Sequence, residues 1–498
     1  MVSLKEKLAD YSFEEDQIKG YDETLHAARD KFGYAYEKKL LRRIDLRLMP
    51  LLILLYLCKN LDVNNAGFVK TMNVGASTNI LSELNMSVND WAWVSTIYTI
   101  PFILFEIPST LILKKSTPRI HQFRIAFLWG SSLACHAAVK NKAGLLSLRF
   151  LLGMFEAGMF PGALCQLTYW YRPDEITVRM AFLGVLGQFS SILTAFITYG
   201  FQFADTKAGL SGWQWVFLIE GLVTILCSFL LLIFLPNFPS DAKFLTQEER
   251  EFIMARLPIN SPRASDMDFS RKDIERALKR PLTYSFTCLK MFQNLGGYGL
   301  SFWLPTIVQS FGFTTTNQAQ LISIPPAALA IISGIFFSWI SDRGYIPKPY
   351  IVLLSLSLAI PSFICLTVIT NKAALYAFIC VATMVSSADG SVLTSWLQQS
   401  LIGSTEVMFS FAFSNAWAQI GGIIGPQLFR SEYAPRYTLP YGISLMFLGL
   451  ALVSLVVTWY LTIDVEKQTR RIKKLRLLET SKGDDGEIIY EDVTVTSR

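Results

Sequence analysis

Eight ionisable side chains stand inside stretches of sequence that are otherwise apolar: Lys59, Asp62, Glu106, Arg149, Glu156, Glu220, Lys290 and Asp389. A charge at the centre of a bilayer costs at least about 2.5–3.5 kcal/mol, so each of them requires a partner or a purpose. Lys59 and Asp62 are three residues apart, and on a continuous helix they share a face where they could neutralise each other. Arg149 and Glu156 are seven apart, roughly 10 Å along one stripe, too far for contact but able to face one cavity. Such a cavity holds an anion and a proton together. Arg149 stays protonated and forks onto a carboxylate, while Glu156 or Asp62 in a poorly hydrated site can exchange a proton near neutrality. Lys290, with Gln293 and Asn294 on the next turn, is the counterpart from the second half. The alternatives are structural pairing within a bundle for the two pairs, and snorkelling to the interface for Lys290. Glu106, Glu220 and Asp389 fall toward the ends of their apolar stretches, where structural or gating roles are expected.

Uncharged groups add to the cavity reading. Phe411 to Gln419 repeats Ser414, Asn415 and Gln419 on one helical side, which suits a cavity wall or interhelical hydrogen bonding. Asn65 lies on the same stretch as Lys59, and Trp303 could stack on a ring-shaped substrate or pack against neighbours. Two glycine-proline runs, Gly158 to Gly162 and Gly421 to Pro426, permit close helix approach and a kink.

The elements that must position these groups are membrane helices. Of 498 residues, 52% are apolar and 17% charged, and the mean hydropathy is positive. Windows of about 20 apolar residues, long enough to cross the hydrocarbon, recur at 47–66, 91–113, 122–139, 144–170, 180–201, 214–236, 283–309, 318–340, 350–370, 373–395, 407–429 and 440–463. The fold expected is all-α and integral to the membrane, with 12 transmembrane helices in two six-helix repeats. The domains are a tail over 1–46, a bundle over 47–236, a connector over 237–282, a second bundle over 283–463 and a tail over 464–498. Lys and Arg crowd the two tails, the 114–124 loop and the connector, so these are expected in the cytosol.

The first 45 or so residues are polar and resemble no secretory signal. The Asn85-Met86-Ser87 sequon lies too close to a span for use to be expected, and the cysteines read as packing residues. In the connector, Thr246 to Glu249 reads as a capping box that opens a short amphipathic helix. With three histidines and no acid beside His136, neither metal ligation nor acyl transfer has its residues, and no enzyme is expected.

Several runs resemble a known superfamily. Ser338 to Gly344, with Asp342 and Arg343, is similar to the cytosolic loop motif of the major facilitator superfamily. Leu111 to Arg119 is its first-half counterpart, keeping Lys114, Lys115 and Arg119 but lacking the aspartate. The resemblance implies that these groups, with Glu106, act in gating. Arg149 to Gly162, together with Phe105 to Ser109, resembles the fungal allantoate permease family of anion:cation symporters. There the proton and anion work is attributed to an aspartate-arginine pair in span 1 and to an arginine and glutamate in span 4, which implies roles for Asp62, Arg149 and Glu156. Val63 stands where the span 1 arginine would be. Lys59, with Asp62, Asn64 and Asn65, is similar to the vitamin and sulfonate branch, which implies that Lys59 replaces that arginine.

By this resemblance the chain is expected to import a small organic anion with a proton as coupling ion. Allantoate, nicotinate, pantothenate and biotin are the types of substrate implied. No cofactor and no nucleic acid partner is expected; the partners are the substrate, the proton and the lipid bilayer. A monomer in the plasma membrane, with both termini cytosolic, is the expected form. An exporter or endomembrane carrier of the same fold, or a nutrient-sensing transceptor, are the other readings.

Overall fold

The computed structural model describes residues 32–481 apart from 115, 172, 258–270, 313–318, 343–345, 389, 402–403 and 434–435. The described residues form helices and connecting turns, with no strand among them. The first half contains α1 (Tyr34–Phe68), α2 (Ile80–Glu83), α3 (Val88–Lys114), α4 (Pro118–Cys135), α5 (Lys142–Glu156), α6 (Met159–Trp170), α7 (Pro173–Phe201) and α8 (Gly212–Phe234). The connector carries α9 (Gln247–Ala255) and α10 (Arg271–Lys279). The second half contains α11 (Pro281–Ser310), α12 (Ala319–Ile322), α13 (Ile324–Asp342), α14 (Lys348–Val368), α15 (Lys372–Ala388), α16 (Gly390–Gln399), α17 (Ser404–Ala418), α18 (Ile420–Leu428) and α19 (Thr438–Ser481).

Six described stretches are long and apolar enough to cross a membrane by length and composition: Lys142–Trp170, Phe182–Ala204, Gly212–Phe234, Gln320–Ser341, Lys348–Val368 and Thr438–Lys467. The other predicted spans fall on α1, α3, α4, α11, α15 with α16, and α17 with α18, which are more polar, contain proline or are broken. Large apolar side chains point outward, among them Ile233 and Ile332 at 63% exposure each. A soluble protein does not leave such a surface, and a lipid-facing one does.

Helix starts are capped where polar chain meets the bundle. Thr117 accepts from the Ile120 amide with Pro118 at the first helical position, and Asn141 accepts from the Gly144 amide. The predicted capping box forms: Thr246 accepts from the Glu249 amide, and Glu249 accepts from that of Thr246 at 2.9 Å. The second connector helix, α10, was not anticipated, although Ile274, Ala277 and Leu278 have helical spacing.

The predicted fourth span is two helices. The break falls at Gly158, φ +87°, and not at Pro161, which sits in the first turn of α6 where its missing N–H costs no helical bond. A side chain at Gly158 would lie 2.3 Å from the Ser109 hydroxyl. Glu156 is therefore the last residue of α5, at the interruption. On the same helix, a Cβ at Gly153 would lie 2.0 Å from the Tyr98 carbonyl, so α3 and α5 touch backbone to backbone.

Within the first half α4 packs on α8, α3 on α5 and α1 on α7; within the second α11 packs on α18 and α19, and α13 on α15. Between the halves α7 meets α13 and α16, α3 meets α17 and α18, and α1 meets α11. The connector divides between the halves: α10 packs on α17 of the second, and α9 docks on the first. Arg256, 0% exposed, binds Glu37 at 3.0 Å and also Glu175, while Arg43 reaches Glu249 at 2.5 Å.

Candidate functional site

A cavity of about 220 Å³ lies between the halves. Lys59 on α1 and Phe160 on α6 line it from the first half, Lys290 on α11, Asn415 on α17 and Gln419 at the start of α18 from the second. Its wall among the described residues has two ammonium groups and no carboxylate. The acids lie directly behind. Lys59 Nζ is 3.8 Å from Glu156 Oε1, and the Glu156 carboxylate, 0% exposed, accepts no hydrogen bond in bonding geometry. Lys290 donates to Asn415 at 3.3 Å, and the Asn415 amide donates to Glu106 at 2.8 Å, so a first-half acid is joined to a second-half lysine.

The sequence pairing of Lys59 with Asp62 is not the one made. Three residues turn a helix by about 300°, a net offset of about 60°, so the two groups sit on flanking sides of one face: Lys59 borders the cavity, and Asp62 accepts from the Trp129 indole of α4 at 2.5 Å. Arg149 also differs from expectation. It is 2% exposed and off the cavity wall, donating to Asn65 at 3.4 Å, while Asn65 donates to Glu220 at 2.6 Å. Its guanidinium lies 5.2 Å from the Phe217 ring. Asp62, Asn65, Arg149 and Glu220 are thus a buried cluster inside the first half, because α5 turns its charged stripe toward α1 and α8.

Asn294 and Trp303 lie off the cavity wall too. Gly421 approaches the Asn294 backbone, and Trp303 donates to the Pro426 carbonyl at 3.0 Å. Trp303 carries a group the sequence reading missed: Lys70, 3% exposed, with Nζ 3.3 Å from the centre of the indole face and 4.6 Å from the Phe302 ring. Nothing near Lys70 in sequence announces those rings. Gln188 on the cavity wall was missed as well, being a single polar residue in an apolar run.

Of the expected gating groups, Glu106 belongs to the Asn415 bridge. Arg119 braces the first half, donating to the Leu235 carbonyl at 2.6 Å. Lys115, Arg343 and Asp389 lie outside the described residues, as do the side chains of Lys114 and Asp342.

Outward-facing apolar helices around a central cavity with cations on its wall define a multi-pass membrane transporter. The chain belongs to the Major Facilitator Superfamily, whose family model matches residues 64–426. It is similar to the MFS-type transporter cnsO of Penicillium expansum, 29% identical over 94% of this chain and 91% of that one. It is also similar to a putative tartrate transporter of Agrobacterium vitis, 28% identical over 86% and 95%. Among solved structures, the xylose transporter XylE from E. coli, in a partially occluded inward open conformation, matches with a TM-score of 0.62 at 14% identity over 83% of this chain and 97% of that one. The chain is a secondary transporter and not an enzyme.

Proposed function

We propose that this transporter imports a small organic anion together with a proton, as a member of the anion:cation symporter group. The observation that carries this reading is Lys59 facing the cavity with Glu156 behind it at 3.8 Å. A buried carboxylate and an incoming substrate carboxylate compete for one ammonium. Protonating Glu156 frees Lys59 for the substrate, and substrate release returns the lysine to the acid. The tartrate named for the Agrobacterium relative is an organic anion, which agrees with this wall.

Coupling to protons meets an energetic need. An inside-negative membrane drives a lone anion outward by about 2.3 kcal/mol per charge per 100 mV, and a co-transported proton removes that penalty. In this reading the two six-helix halves rock about the cavity. Arg149 balances Asp62 and Glu220 within the first half, and the substrate meets the lysines. In this reading the carrier works as a monomer in the plasma membrane, and the Lys and Arg bias of the tails and connector supports a cytosolic side for both termini.

The test is uptake of labelled allantoate, nicotinate, pantothenate, biotin and tartrate into cells expressing the chain, at two external pH values. Glu156→Gln is then examined on the compound carried. Substrate exchange that persists while pH-driven accumulation disappears is the expected result. Undiminished pH-driven accumulation in that variant would refute the proton role.

A further inference from the structure

We infer that the preferred substrate carries two carboxylates, one bound by Lys59 of the first half and the other by Lys290 of the second. This deepens the anion reading above and depends on it. Both ammonium groups line the same cavity, and each is only loosely answered. Lys59 makes no hydrogen bond among the described residues, its carboxylate neighbour standing at 3.8 Å. Lys290 spends one donor on an amide oxygen at 3.3 Å. A monoanion would satisfy one lysine and leave its counterpart across the cavity unanswered. A molecule with a carboxylate at each end answers both and draws the halves together. The cavity, about 220 Å³, has the volume of roughly seven waters at 30 Å³ each, room for a short hydrocarbon chain between two carboxylates. Phe102 and Phe160 cover such a chain, and Gln188 and Gln419 offer it amides.

The charge count extends the argument to stoichiometry. Glu156 faces Lys59 from α1, Tyr98 from α3 and Arg149 on its own helix. Glu106 faces Asn415 from α17, Lys290 from α11 and Lys59 from α1. With both acids ionised, the two lysines are already balanced. A proton on each acid leaves two free ammonium groups, and a dianion restores neutrality. Two protons accompany one dicarboxylate, and the loaded site carries no net charge across the membrane.

The purified full-length chain is titrated calorimetrically with succinate, glutarate and adipate and with the half-amide of each. The best diacid is expected to bind at least tenfold more tightly than its own half-amide. Lys290→Gln should bring the two within twofold of each other, with an unchanged helical circular dichroism spectrum reporting that the variant is folded; Lys290→Arg should retain the preference. In proteoliposomes at fixed pH gradient, uptake of that diacid should not respond to a potassium-diffusion potential. Equal affinity of diacid and half-amide, or a preference that survives Lys290→Gln, overturns the two-carboxylate inference and leaves the anion reading standing. Absence of binding by all three diacids also overturns it. Half-amide binding that is indifferent to Lys59→Gln would remove the anion reading as well.

Discussion

The two ends of the bundle are held by different chemistry. At the connector end the described ion pairs lie within the first half or tie the connector to one half or the other: Arg179 with Asp45, Arg256 with Glu37 and Glu175, Arg43 with Glu249, and Arg280 at the connector's end with Glu406 of the second half. At the opposite end Lys142 pairs with Asp90 within the first half, and neutral hydrogen bonds cross between the halves. Ser95 donates to the Gly422 carbonyl at 3.0 Å, Thr96 to that of Ile423 at 3.1 Å, and Gln427 to the Thr96 hydroxyl at 3.0 Å. Lys70 lies against Trp303 in the same region. Neutral, short contacts can be made and unmade at small cost each, whereas buried ion pairs leave a stranded charge when broken. The far end is built to separate, and the connector end to keep each half in one piece.

The largest effect expected is at the connector end. Arg256→Ala removes the buried cation shared by Glu37 and Glu175 and should cost about 3–5 kcal/mol of local stability. Limited proteolysis should cut the connector at much lower protease concentration, with accessibility of cysteines introduced at the far end unchanged. A change at both ends would erase the distinction drawn here.

An intermediate effect is expected from Lys70→Met. The buried ammonium has no hydrogen-bond acceptor among the described residues, and stacking on the rings returns on the order of 2 kcal/mol, less than burying an unpaired charge costs. Removing the charge should favour the closed far end, raising the melting temperature and slowing turnover about tenfold, equivalent to about 1.4 kcal/mol. Faster turnover with a lower melting temperature would show that Lys70 holds the end shut.

The smallest effect concerns pH. Burial pushes the Glu249 carboxyl upward, but Arg43, the Thr246 amide and Tyr36 outweigh it and hold the group below its ordinary value. A depressed carboxylate contributes stability that is complete above its unfolded value of about 4.3 and is lost as pH falls through the lower folded value. The protection factors of the α9 amides, which correct for the intrinsic pH dependence of exchange, should therefore be flat from neutrality to about pH 5 and fall only below. A fall already between pH 7 and 6 would contradict the assignment.

Charges in apolar runs pointed to Lys59, Glu156 and Lys290, which the structure brings to or just behind one cavity, and the residue pattern announced the α9 cap. The pairing did not show. Helix rotation about its axis is decided by what packs around it, so Lys59 pairs with Glu156 on the cavity side while Asp62, about 60° round the same face, pairs with Trp129. For the same reason Arg149 could be read onto the cavity when it lies behind it. Glu106 with Asn415, 309 residues apart, and Lys70 with Trp303 are products of the two halves meeting, which no local pattern encodes. The break at Gly158 was visible as a glycine-proline run, but only the contact with Ser109 selects the glycine over the proline as the hinge point.

The missing side chain at Gly153 has a mechanical outcome. Lipid offers helices no water-driven squeeze, so what welds them is atomic proximity. With the Tyr98 carbonyl occupying the place of a methyl group, α3 and α5 cannot slide past one another. Tyr98 and Glu156, carried on those two rods, must travel as a fixed set through every stroke. The moving boundary is then the seam of water beside Lys59, and an added methyl at position 153 would jam the carrier without touching a single charged atom.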